Sequence, residues 1–281
     1  MLWSDLNSRQ LADLDRDTVC ILPTGAIEQH GPHLPVATDL MIANGIAQRL
    51  NEACGNKLLV MPSISVSCSD HHLAFAGTLS IEHGLFQSLI LQITQSAARH
   101  GFRRFFLLNA HGGNIAAGGV VTEQLSRRLP DCEIVFATWF RAVSDQLRPL
   151  VEGEYPAVGH ACEFETSLIM ALHPELVDRD SIEDGGVAPS SPLLRADLLK
   201  GGRTVQSFPF EKVTKNGVWG KPSLASKEKG EKLLVVVVTG LKELLSAHWP
   251  HAPGICAEVT TMTSVNGYWD SHPLDDRNAT T

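Results

Sequence analysis

Short continuous apolar runs alternate along this chain with longer stretches in which apolar residues recur every three or four positions. Thr18-Val19-Cys20-Ile21-Leu22-Pro23 is continuous, partly β-branched and closed by Pro23 and Gly25, the pattern of a strand buried on both faces. Leu40 to Cys54 carries apolar residues at 42, 43, 46, 47 and 50, a helical spacing that Gly55 stops. The same alternation predicts a second buried strand over Lys57–Val66 and an amphipathic helix over Ile81–His100, ended by Gly101. It then predicts a third strand over Arg104–Asn109, a helix from near Ile115 and a fourth strand over Glu133–Phe140. Repeated strand–loop–helix units build an α/β fold: a mainly parallel sheet with helices on both faces. Functional groups in such sheets gather at the carboxyl ends of the strands.

Beyond the fourth strand the pattern loosens. Residues 141–158 are polar, contain Pro149, Gly153 and Pro156, and could cover a site. A helix is expected over Leu168–Leu172 and a long one over Ser226–Trp249, with a short helical lead-in at 4–16. Residues 178–224 are rich in Gly, Pro and Ser and long for an unstructured loop, which marks them as functional or as an oligomer contact. With no internal repeat and no clean linker, residues 1–250 read as one domain. Residues 251–281 read as a tail that is weakly ordered or lies on a neighbour.

Composition narrows the function classes. The net charge is −8 with no basic block, which argues against nucleic acid or an anionic membrane as the main partner. The six Cys form no CxxC pair and read as free thiols in a reducing compartment. The N-terminus lacks the charged and apolar regions of a signal peptide, and the longest aliphatic run, Leu233–Val238, is too short to span a bilayer. A cytoplasmic location is expected.

The chain has 12 His, and several stand beside Gly, Asp and Glu at the predicted strand ends. The loop after the first strand, Glu28-Gln29-His30-Gly31-Pro32-His33-Leu34-Pro35-Val36-Ala37-Thr38-Asp39, holds carboxylates and imidazoles in a segment that Pro and Gly keep irregular. Divalent cations favour that donor set. Glu28 and His30 are two apart and share a side if extended, while Asp39 stands where a helix begins. A solvated loop and a helix-capping Asp39 are the structural alternatives. His111 follows the third strand in Asn109-Ala110-His111-Gly112-Gly113-Asn114, where the glycines permit close backbone approach. In Gly159-His160-Ala161-Cys162-Glu163-Phe164-Glu165, Glu165 could complete a two-metal set with Glu163 as its competitor, and His160 suits acid–base work.

Glu28-Gln29-His30-Gly31-Pro32-His33-Leu34-Pro35 with Asp39, Asn109-Ala110-His111-Gly112-Gly113-Asn114, and His160-Ala161-Cys162-Glu163-Phe164-Glu165-Thr166-Ser167 together resemble the creatininase family of metal hydrolases. Residues 71–79 and 217–230 support the likeness, which runs from about residue 18 to about 249. The resemblance implies a three-layer α/β/α sandwich, two divalent metal ions (Zn, Mn or Fe) and a homo-oligomer, often a hexamer. By motif position Glu28 and His111 would hold one metal and His30 the other, with Asp39 bridging them and His160 as the base or proton shuttle. Creatininase proper carries Glu where this chain has Gly113, so Glu165 must supply that ligand. Cys162 replaces the family's usual Gly. Of the two Trp that wall the creatininase site, Trp139 is a candidate for one, and Tyr155 and Pro156 stand where the other is sought. These departures predict a non-peptide substrate other than creatinine (a cyclic amide, a formamide or a small amide), with the formamide-hydrolysing and peptide-cleaving branches of the family left open. The expected function is a divalent-metal-dependent hydrolase that cleaves a C–N amide bond with a metal-activated hydroxide. Its rivals are a thiol hydrolase using Cys162 with His160, and a metal-binding assembly protein that has lost catalysis.

Overall fold

The structure, a computed structural model, describes residues 1–153, 158–186, 191, 193 and 197–255. Its centre is a four-stranded parallel sheet in the order β2-β1-β3-β4, formed by β1 (Val19–Thr24), β2 (Leu59–Val60), β3 (Arg104–Asn109) and β4 (Glu133–Thr138). Among the described residues, eight α-helices accompany it: α1 (Ser8–Asp13), α2 (Thr38–Ala53), α3 (His83–Arg99), α4 (Ile115–Arg128), the short α5 (Trp139–Ala142) and α6 (Ser144–Leu147), α7 (Glu163–Leu172) and α8 (Lys227–His248). Among the described residues, no helix is long and apolar enough to cross a membrane.

Alternation along the strands sorts the core into two layers. Val19, Ile21, Phe106 and Leu108 pack with α2, α7 and α8 on one face, and Cys20, Leu22, Phe105 and Leu107 pack with α3 and α4 on the other. All eight are fully buried, at about 1.5–3 kcal/mol for each large side chain. A one-residue slip would exchange the two sets, so the register is strongly fixed. The expected α/β/α sandwich is therefore present.

Element bounds moved where local chemistry overrode the pattern. The second strand shrinks to Leu59–Val60 because Pro62 has no N–H for the ladder; pairing resumes only as a bridge between Thr24 and Ile64. The helix expected from Leu168 begins at Glu163, which places Glu163 and Glu165 on the first turn of α7. Helix α2 begins one residue before Asp39. The part of the predicted tail beyond residue 255 lies outside the described residues.

The register aligns Thr24, Asn109 and Thr138 across the carboxyl edge of the sheet. Thr24 Oγ1 donates to Asn109 Oδ1 at 3.2 Å, and Asn109 Nδ2 donates to Thr138 Oγ1 at 3.0 Å and to the His111 carbonyl at 2.7 Å. Asn114 Nδ2 closes the bar on Asn109 Oδ1 at 3.2 Å. This polar row fixes the starting points of the loops leaving β1 and β3. The chain reverses its winding direction between those two strands, where open α/β sheets bind ligands.

Candidate metal centre

The loop after β1 folds back on itself. The Glu28 N–H donates to the Val36 carbonyl at 2.9 Å, and Gly31, at φ +66°, makes the reversal. That return brings Asp39, on the first turn of α2, beside His30. Asp39 makes no cap; α2 has Ala37 at its N-cap and no side-chain cap bond. His111 leaves β3 with its N–H on Asn109 Oδ1 at 3.2 Å. His160 is pinned by a two-way backbone bridge to Trp219, at 2.9 and 2.8 Å, and Ala161 turns the chain into α7 at φ +49°. His33 ties the loop to α7 through Thr166 Oγ1 at 2.9 Å.

Glu28, His30, Asp39, His111, His160 and Glu165 converge in one buried cluster, each no more than 8% exposed. Asp39 stands in the middle: Oδ1 lies 3.3 Å from His30 Nε2 and Oδ2 lies 3.0 Å from His111 Nδ1. His111 Nδ1 is also 3.3 Å from Glu28 Oε1. The far nitrogens are committed elsewhere. His30 Nδ1 faces the Glu28 carbonyl at 3.1 Å and His111 Nε2 the Cys68 carbonyl at 3.0 Å. A carbonyl only accepts, so those nitrogens carry hydrogens, and the inner nitrogens are the ones that could bind a cation once they give up their protons. Glu28 Oε2 and Glu165 Oε2 are both buried without a hydrogen-bond partner. Six ligand-type groups turned towards one another, with two carboxylate oxygens orphaned, are a donor set that fits divalent cations.

Proton affinities follow the same crowding. Burial pushes the Glu28 carboxyl up, but His111, His72 and His160 outweigh it and hold it well below the usual range. Burial pulls His30 down, yet Asp39, Glu165 and Glu28 raise it to about 9. Burial likewise pulls His111 down, and Glu28 and Asp39 raise it well above the ordinary imidazole value. Glu165 is pushed up to about 7 by burial, with Asp39 and Glu28 adding to it against His30. In the metal-free protein, imidazolium protons thus supply the positive charge that the carboxylates require.

Glu163 and Glu165 part company on α7. Glu163 accepts the N–H groups of Glu152 and Gly153 at 3.0 and 2.9 Å, and Lys229 Nζ lies 3.4 Å from its Oε1. Glu165 instead lies with His30 and His160 within ligand spacing. A Cβ at residue 113 would strike the Cys68 carbonyl and His111 Nε2 and come within 3.0 Å of His71. The loop after β2 fills that space, so no carboxylate side chain fits there. Cys162 is 1% exposed, and burial, with Glu165 beside it, pushes its thiol up to about 12. That removes the thiolate that a thiol hydrolase needs. Trp139 is a correction: it is 1% exposed in the core against Phe140, ring centres 5.3 Å apart. The ring over the cluster belongs to Phe210, 4.2 Å from His72 and 5.0 Å from His160, with Trp219 at 6.3 Å behind it. Tyr155 and Pro156 lie outside the described residues. Sequence reading assigned no role to Gln29, His71, His72 or Phe210. The His71-His72 pair at a strand-end loop was a signal; Phe210, in an aperiodic stretch, left none.

The Creatininase family, described as creatinine amidohydrolase, matches residues 4–245. The creatinine amidohydrolase of Pseudomonas putida is 28% identical over 268 residues, covering 89% of this chain and 96% of that protein. The mycofactocin precursor peptide peptidase of Mycobacterium ulcerans is 30% identical over 240 residues, covering 83% and 86%. Among solved structures, a creatininase variant of Zn-Zn type (28% identity) and a manganese creatininase (29%) each superpose with a TM-score of 0.74, covering 89% of this chain and 98% of theirs.

Proposed function

The chain belongs to the creatininase family, and on that premise we propose that it is a divalent-metal-dependent hydrolase of C–N amide bonds. Asp39 carries the reading: its two carboxylate oxygens face two different histidines, His30 and His111, as a carboxylate shared by two cations would. Glu28 and His111 would hold one ion, His30 and Glu165 the other, and Asp39 both. The donor set accepts Zn, Mn and Fe alike. When bound, divalent cations supply Lewis acidity, polarising a carbonyl and making water acidic enough to ionise near neutral pH.

The protein's own groups do the rest. His160 Nε2 lies 2.6 Å from the Gln29 carbonyl and so carries the hydrogen, which leaves the Nδ1 lone pair 3.6 Å from Glu28 Oε1. Burial, with His30 and His72 nearby, holds the ring well below the ordinary imidazole value and keeps it neutral. His160 can therefore take a proton at Nδ1 from an attacking water and pass it to the leaving nitrogen. Phe210, 7% exposed, shields the cluster from bulk water. The relatives act, by name, on creatinine and on a precursor peptide. For this chain we favour a small amide other than creatinine, because Gly113 and Phe210 give the site walls of its own. A homo-oligomer belongs to the same proposal.

The test is to strip metal with a chelator and assay creatinine, other cyclic amides, formamides and short peptides before and after adding Zn, Mn or Fe. Hydrolysis of at least one amide should vanish on stripping and return with metal. Full activity in protein shown to be metal-free would end the proposal.

A further inference from the structure

Three imidazoles face Glu28 Oε1: His111 through Nδ1 at 3.3 Å, His72 through Nε2 and His160 through Nδ1, both at 3.6 Å. By spacing alone, His72 is as good a ligand as the others, since Glu28, His72 and His160 form one of the ligand-like groups. The second ring nitrogen separates them. In His111 and His160 it faces a backbone carbonyl, which forces a hydrogen onto it and leaves the inner nitrogen as the one that could bind a cation.

In His72 the second nitrogen meets a donor. Its Nδ1 lies 2.8 Å from Gln29 Nε2. The orientation of that amide is set at both ends: Gln29 Oε1 accepts the Gly31 N–H at 2.9 Å, and Nε2 donates to the Gly217 carbonyl at 3.0 Å. A flipped amide would set oxygen against a carbonyl and nitrogen against an N–H. The second amide hydrogen goes to His72 Nδ1. The 3.0 Å approach of Gln29 Nε2 to His160 Nε2 joins two donors and is only a contact. Gly217, at φ +82°, packs so closely that a Cβ there would collide with Gln29 Oε1, and Gln29 itself is 5% exposed. The amide is thus held on three sides, and His72 must carry its hydrogen on Nε2, the nitrogen that faces Glu28.

We propose that Gln29 is a positioning residue that fixes His72 as a neutral N–H donor towards Glu28, withdrawing it from the metal ligands it lies among. The inference rests on Glu28 as a metal ligand for its purpose, and on the hydrogen-bond network alone for its geometry. A donor beside Oε1 leaves the unpartnered Oε2 to a cation and orients the carboxylate, which is how partners of a ligand tune a metal.

The experiment records long-range 1H–15N correlation spectra of the full chain labelled with 15N-histidine, metal-free and then loaded with Zn2+, with His72→Asn assigning the His72 signals. Expected are a protonated Nε2 and an unprotonated Nδ1 in both states. Gln29→Glu, which offers Nδ1 an acceptor, should move the hydrogen to Nδ1. It should also weaken Zn2+ binding about 10–100-fold in chelator competition. Gln29→Met, similar in size without either group, should leave both tautomers populated. A wild-type His72 with unprotonated Nε2, or one whose Nε2 takes a metal-bound shift with Zn2+, overturns the proposal whether or not the Gln29 variants fold. Unchanged His72 signals in both Gln29 variants overturn it as well. If wild-type protein binds no Zn2+ yet keeps the Nε2–H, the metal reading fails while the assignment of Gln29 stands.

Discussion

Two glutamates two residues apart on α7, Glu163 and Glu165, are both buried, at 1% and 4% exposure, and differ in everything else. Glu163 has its oxygens met by two backbone N–H groups and Lys229. Glu165 has an oxygen with no partner, and burial pushes its carboxyl up to about 7. The first is a completed contact that pins the chain before His160 to α8. The second is a demand for positive charge that the protein's own hydrogen bonds do not meet. In this fold the candidate chemistry sits where the buried polar groups are unsatisfied, not simply where they are buried.

The largest effect that could break this contrast is on turnover. His160→Ala, which removes the proposed proton acceptor and leaves both glutamates, should lower kcat about 10²–10⁴-fold while metal content stays the same. If kcat holds, His160 carries no proton in the reaction and the role proposed for it falls. Next, Glu165→Gln should lose one metal equivalent per protomer by elemental analysis, whereas Glu163→Gln should keep both. Equal losses from the two variants would erase the distinction.

Stability sharpens it further. A carboxyl raised from 4.5 to about 7 binds its proton more tightly in the folded protein than in the unfolded chain. Its contribution is therefore fully present below about pH 4.5 and is lost as pH rises towards about 7, by roughly 3 kcal/mol in the metal-free protein. Denaturant midpoints across that window should fall less in Glu165→Gln. Glu163→Gln should instead cost about 1–3 kcal/mol, because it weakens the pairing of buried N–H groups and Lys229. The smallest effect is expected at Cys162, which stands just before both glutamates at the N-cap of α7. Cys162→Ala should leave turnover within about twofold, since a thiol at about 12 is no nucleophile.

Much of this was legible in the chain. β1 and β3 are buried on both faces and read as continuous apolar runs, and the crowding of Glu28, His30 and Asp39 in one irregular loop announced a polar site. The choice between Glu163 and Glu165 was not legible. Two residues on a helix point about 200° apart, and periodicity does not say which side meets the sheet. Gly113 was visible as a departure, but its cause, the Cys68–His71 loop filling the space, is a contact between distant segments. Phe210 and the Gln29 amide belong to the same class, since neither lies on a periodic face.

The most direct measurement is calorimetric titration of metal-free protein with Zn2+ at neutral pH in buffers of different ionisation enthalpy. Displacing protons from His30, His111 and Glu165 should make the observed heat depend on the buffer. The account predicts two equivalents per protomer with net proton release. Saturation at one equivalent or none, or heats independent of the buffer, would contradict a two-cation centre built on Asp39.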